Sequence, residues 1–146
     1  MVSQPVDILL VEDNEDDIVI IQEAFLESRL VHVINTVSDG EEALAYLRRQ
    51  GKYHGAALPA LVLLDINMPR KNGFEVMEAV KGDPHLRSIP IIMLTMSERE
   101  EDINRSYAGG ACSYIRKPVN LDQFNAVVKL FELYWTMISR IPIHKG

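Results

Sequence analysis

Apolar residues gather into five short runs, separated by stretches with a helical spacing. Val6 to Val11 (VDILLV) and Leu61 to Leu64 (LVLL) are nearly unbroken, and each ends in acid, at Glu12-Asp13 and at Asp65. Apolar runs of this length, bounded by turn residues, predict strands covered on both faces, as in a parallel sheet. Val31 to Val37 is β-rich, Ile89 to Leu94 is another buried run ending at Thr95, and Cys112 to Ile115 is a short last run leading to Lys117. After the first run, Ile18, Ile21, Ala24, Phe25 and Leu26 are spaced like a helical face, behind Asn14 and the acids Glu15, Asp16 and Asp17. Acids in a first turn suit the helix dipole.

Asp39-Gly40-Glu41-Glu42 predicts a second helix with an Asp-type capping box, a stripe of Ala43, Leu44 and Leu47, and Gly51 as its stop. Residues 52–60, with Gly55 and Pro59, read as a loop. Asn72-Gly73-Phe74-Glu75 starts a third helix ending near Gly82-Asp83-Pro84. Ser97-Glu98-Arg99-Glu100 reads as a capping box opening a charged fourth helix, which Gly109-Gly110 ends. Asn120 caps a long last helix reaching about Ser139. Strands and helices alternate, five of each, which predicts an α/β fold with helices on both faces of a parallel sheet. With no internal repeat and no long linker, residues 1–146 are expected to form one domain, with a core over about 5–139 and a short C-terminal tail.

Composition narrows the class. At 146 residues, 47% hydrophobic and 25% charged, the chain suits one globular domain. Its net charge of −6 argues against non-specific nucleic-acid binding. No apolar stretch is long enough to span a bilayer, the N-terminus lacks a signal-peptide pattern, and Cys112 is the only cysteine. A cytoplasmic protein without membrane attachment is the expectation, with Cys112 packed as a small apolar residue. His32, His54, His85 and His144 are scattered without metal-ligand spacing.

The chemistry gathers at the strand ends. If the strand order is 2-1-3-4-5, the first and third strands are neighbours at the topological switch point, and Glu12, Asp13 and Asp65 converge. Three carboxylates packed together repel unless a cation intervenes. Mg²⁺ suits the set because it needs few protein ligands. Thr95 and Lys117 suit an anion instead, so the combination describes a phosphoryl site in which Asp65 can act as nucleophile. Asp13-x-Glu15-x-Asp17 faintly echoes a calcium loop, but Ile18 stands where that loop needs glycine.

The pattern Glu12-Asp13, Asp65-x-x-Met68-Pro69-x-x-x-Gly73, Thr95 and Lys117-Pro118 resembles the receiver domain of two-component response regulators, over nearly the whole chain. The resemblance implies a flavodoxin-like (βα)5 three-layer sandwich with a parallel sheet of order 2-1-3-4-5. It implies that Asp65 accepts a phosphoryl group from a sensor histidine kinase. Asp13, Asp65 and the Asn67 carbonyl would hold Mg²⁺, with Glu12 acting through a metal-bound water. Lys117 would meet the phosphoryl oxygens, and the Lys117–Pro118 peptide bond would be cis. Thr95 would move toward the phosphoryl group and Tyr114 would turn inward behind it, a population shift between two conformations. Asn67, Met96 and Ser97 hold positions that tune dephosphorylation in this family, and the bulk of Met96 predicts a long-lived phosphorylated state.

Two other classes fit less well. A phosphatase of the haloacid dehalogenase type wants a second acid two residues after its nucleophile, where this chain has Asn67. A flavodoxin-like cofactor binder wants a Ser/Thr/Gly-rich phosphate loop after the first strand, where Glu12 and Asp13 stand. The expectation is therefore a regulator that catalyses only its own phosphorylation and dephosphorylation, and not an enzyme with a released substrate.

The last helix carries more apolar surface than its own sheet needs. Leu121, Phe124, Val127, Val128, Phe131, Tyr134, Trp135 and Ile138 form one stripe, and Ala126, Leu130, Leu133 and Met137 form a second beside it. The tail, Ile141-Pro142-Ile143, folded back over the second stripe is one way to cover it; a symmetric homodimer is the reading preferred here. The long Trp-bearing helix resembles that of stand-alone regulators associated with phytochrome kinases, which implies a phytochrome-type kinase as partner.

Overall fold

The structure, a computed structural model, describes residues 6–28, 32–68, 70–97, 99–117 and 119–139, with side chains through Trp135. Its elements are β1 (Val6–Val11), α1 (Glu15–Leu26), β2 (His32–Val37), α2 (Gly40–Leu47), β3 (Leu61–Asp65), α3 (Gly73–Lys81), β4 (Ile91–Thr95), α4 (Glu100–Ala108), β5 (Ser113–Arg116) and α5 (Leu121–Ser139). The strands form one sheet in the order β2-β1-β3-β4-β5, and all four pairings are parallel. The fold is thus flavodoxin-like, with the expected strand order.

Alternate strand residues build two cores, because successive side chains point to opposite faces. Leu9, Val11, Val62, Leu64, Ile91 and Met93 face α2 and α3, meeting Leu44, Leu47, Phe74, Met77 and Val80. Ile8, Leu10, Leu63, Ile92 and Leu94 face α1 and α5, meeting Ile21, Phe25, Phe124, Val128 and Phe131. Phe25 and Phe124 meet edge to face at 5.9 Å and join α1 to α5. β3 and β4 are buried along their whole length, as central strands of a covered sheet must be.

Helix starts follow local chemistry. The Asn14 side chain accepts from Asp17 N, Asp39 from Glu42 N, and Asn72 closes a full capping box with Glu75. At Asp39 only half of the expected box forms, because the Glu42 carboxylate is engaged by the Tyr53 hydroxyl instead. Asn120 Oδ1 accepts from Gln123 N at 3.1 Å and opens α5.

Three expectations are corrected. α4 begins at Glu100 with Arg99 as its N-cap, and Ser97 does not cap it. The Ser97 hydroxyl instead accepts from Arg99 N at 3.1 Å and donates to Asp102 Oδ2 at 2.7 Å, so it braces the approach to the helix. α2 stops at Leu47, four residues before Gly51, because Arg49 takes the left-handed conformation (φ 55°). Cys112 is exposed, since it precedes β5 at the edge of the sheet, where only one neighbouring strand covers it.

Candidate functional site

The C-terminal ends of β1, β3, β4 and β5 lie side by side, so Glu12, Asp65, Thr95 and Lys117 meet from positions far apart in sequence. β3 delivers Asp65 into a tight corner. Gly73, the first residue of α3, approaches so closely that a Cβ there would lie 2.5 Å from the Asp65 carbonyl oxygen. Gly73 N also donates to the Ile66 carbonyl at 2.8 Å. Glycine at 73 is therefore what lets α3 close against the end of β3.

Asp65 is buried, and its two oxygens have different partners. Oδ1 accepts from Asn67 N at 3.0 Å, and Oδ2 lies 3.0 Å from Lys117 Nζ. The Lys117 ammonium also lies 2.7 Å from Glu12 Oε1, 2.8 Å from Oε2 and 3.4 Å from Asp17 Oδ2. One cation therefore serves three acids. Burial alone would lower the Lys117 pKa, but the Glu12 and Asp65 carboxylates outweigh it and raise it. For Glu12, burial pushes the pKa upward and the Asp65 charge adds to that, against the hydrogen bond from Lys117.

Glu12, Asp13 and Asp65 each offer an oxygen within 4.8 Å of the others. Glu12 Oε1 is fully buried and, although close to the ammonium, receives no well-directed hydrogen bond, which goes to Oε2. A buried carboxylate oxygen left in this state, beside two further acids of which Asp13 is exposed to solvent, fits a hard divalent cation. Asn67 is exposed and stands next to this cluster through its amide contact with Asp65.

Thr95 and Tyr114 are joined through Ser97. Thr95 is buried, and its Oγ1 accepts from Ser97 N at 3.0 Å. The Tyr114 ring packs against the core, and its hydroxyl donates to the Ser97 carbonyl at 2.6 Å, so Tyr114 stands inward in this structure. Ser97 thus links Thr95, Tyr114 and, through Asp102, the start of α4. Met96 points out, 72% exposed. Pro118, and with it the expected cis bond, lies outside the described residues.

Asp17 is the site residue that sequence reasoning missed. It is buried, contacts Lys117, and accepts from Val119 N at 3.4 Å. Its signal was masked by Glu15 and Asp16, which with it look like ordinary first-turn acids.

The geometry agrees with comparisons to known proteins. Residues 8–129 match the family model described as response regulator receiver domain. The chain is 37% identical over 140 residues to the response regulator Rcp1 of Synechocystis, covering 96% of this chain and 95% of that protein. Its fold matches the crystal structure of the phosphorylated cyanobacterial phytochrome response regulator RcpA with a TM-score of 0.81 and 46% identity, covering 91% of this chain and 95% of the other. The Mn²⁺-bound form of Rcp1 gives a TM-score of 0.80 at 38% identity, covering 90% and 94%.

Proposed function

This chain belongs to the response regulator receiver domain family, and from that premise we propose that Asp65 is its phosphoacceptor, loaded by a sensor histidine kinase. The observation that carries the reading is Asp65 itself. It is a buried strand-end carboxylate with one oxygen on a backbone N–H and the other on a lysine, beside two further acids. That is the arrangement for attack on phosphorus, where charge develops on oxygens that a cation must meet. Lys117 supplies a movable positive charge to the transferred group, and Thr95 supplies a hydroxyl.

Asp13, Asp65 and the Asn67 carbonyl would hold Mg²⁺, with Glu12 acting through a bound water. When bound, the ion neutralises charge on the acids and on the incoming phosphoryl oxygens. The Thr95–Ser97–Tyr114 hydrogen bonds, continued to Asp102 of α4, are the element that the modification would bias. Asn67, whose N–H meets Asp65, together with Met96 and Ser97, would set the lifetime of the phosphorylated state. Signalling is by protein contact, in the cytoplasm, and the only chemistry is the protein's own phosphorylation and dephosphorylation.

We further propose that residues 1–146 act as a single receiver unit that pairs as a homodimer through α5, and that the cognate kinase is of the phytochrome type. Support for the dimer comes from Leu130 and Leu133, exposed by 68% and 62%, with Tyr134 beside them. Support for the kinase comes from the likeness to RcpA and Rcp1. The test of the central reading is transfer from an autophosphorylated phytochrome kinase, with Mg²⁺, to the wild type and to Asp65→Asn. Label on the wild type alone is the expected result; equal label on both would refute it.

A further inference from the structure

We infer that Asp17 is a positioning residue that receives the Lys117 ammonium when a divalent metal claims Glu12 and Asp65. The inference rests on the metal-binding reading above. Lys117 Nζ lies 2.7 Å from Glu12 Oε1 and 3.0 Å from Asp65 Oδ2. Those two acids, with Asp13, are the ones whose oxygens come within 4.8 Å of one another. A metal in that cluster needs lone pairs that the ammonium now engages, and two cations crowded onto the same carboxylates repel. The ammonium therefore needs another acid within reach.

Asp17 is that acid. Its Oδ2 is already 3.4 Å from Lys117 Nζ, and it stands outside the three-acid cluster. It is also held in place independently of the metal. Asp17 N donates to Asn14 Oδ1 at 3.0 Å in the first turn of α1, and Asp17 Oδ1 faces Val119 N, two residues beyond Lys117. A small shift of one flexible lysine toward a fixed, buried carboxylate clears the cluster without leaving a buried ammonium unpaired.

Asp17→Asn separates the two roles of the side chain, since its amide oxygen can still accept from Val119 N while the charge that receives Lys117 is gone. The experiment is calorimetric Mg²⁺ titration of the whole protein as wild type, Asp17→Asn, Lys117→Ala and the double variant. The expected result is Mg²⁺ affinity weakened about fivefold by Asp17→Asn in the Lys117 protein, and less than twofold when Lys117 is alanine. Equal weakening in both backgrounds would reduce Asp17 to a diffuse charge effect and overturn the inference, as would no weakening at all. Failure of the wild type to bind Mg²⁺ would overturn the metal-binding reading itself, a distinguishable outcome. If thermal melting finds Asp17→Asn unfolded, Asp17→Ser is read through the same cycle.

Discussion

The rim of the sheet and the outer flank of α5 follow opposite rules. At the rim, charged groups are buried and shared: one ammonium reaches Glu12, Asp17 and Asp65. On α5, Leu130, Leu133 and Tyr134 are apolar and exposed, and with Pro90, Cys112 and Val127 the first and last of them line an open groove. Buried charge without partners is costly, so a site like the rim persists only when its geometry is fixed by the fold. Exposed apolar area is tolerated only singly or in modest patches, and the cluster on α5 is the observation behind the proposed dimer. On the proposed reading, the rim does chemistry that changes its own charge, and the α5 flank meets another surface. From the rim, Ser97 and Tyr114 lead to α4, a helix of which only Ser106 is buried.

The largest effect expected is from breaking the inner side of α5, on which both regions depend. Phe124 is fully buried against Phe25, and Phe124→Ala should cost about 3–5 kcal/mol in denaturant unfolding. Next is the rim. At a hundredfold excess over its dissociation constant, Mg²⁺ should stabilise the protein by about 2.7 kcal/mol in thermal melts, and Asp13→Asn should remove most of that gain. Smaller still, in stability, is the outer flank. Leu130→Ser with Leu133→Ser should change monomer unfolding by less than about 1 kcal/mol, summed over two exposed sites, yet shift sedimentation toward monomer. A large loss of stability with no change in association would reverse the assignment of that face.

The smallest effect lies outside both regions. Burial first, then the hydrogen bond to Glu42, push the Tyr53 pKa up to about 12 from an ordinary 10.0. The unfolded chain would release this proton first, so the contribution is complete below pH 10 and is lost as pH rises toward about 12. Tyr53→Phe should flatten that alkaline fall in urea titrations.

The two regions were not equally legible. The apolar runs ending in Asp65 and Glu12 gave away both strands and their chemistry, because a central parallel strand leaves its first polar residue at the rim. The alternation of strands and helices predicts a parallel sheet, whereas the order 2-1-3-4-5 comes with the receiver resemblance, and the contact of Lys117 with Glu12 is visible only in the structure. Asp17 stayed hidden because burial of one acid among three in a first turn depends on how α1 lies against the β5–α5 connection. Ser97 was misread for a related reason: its hydroxyl can cap a helix or brace Asp102, and only the position of α4 decides which. Cys112 looked like core because nothing in its neighbours marks the sheet edge. The second stripe of α5 was legible as excess, and the exposure of Leu130 and Leu133 agrees with it.

The most direct test of the phosphoacceptor is intact-mass spectrometry after incubation with Mg²⁺ and a small phosphodonor, on the wild type and on Asp65→Asn. The account predicts a mass gain of one phosphoryl group in the wild type, absent when EDTA replaces Mg²⁺ and absent in Asp65→Asn. An equal gain in Asp65→Asn would contradict it, as the chemistry would then belong to another residue.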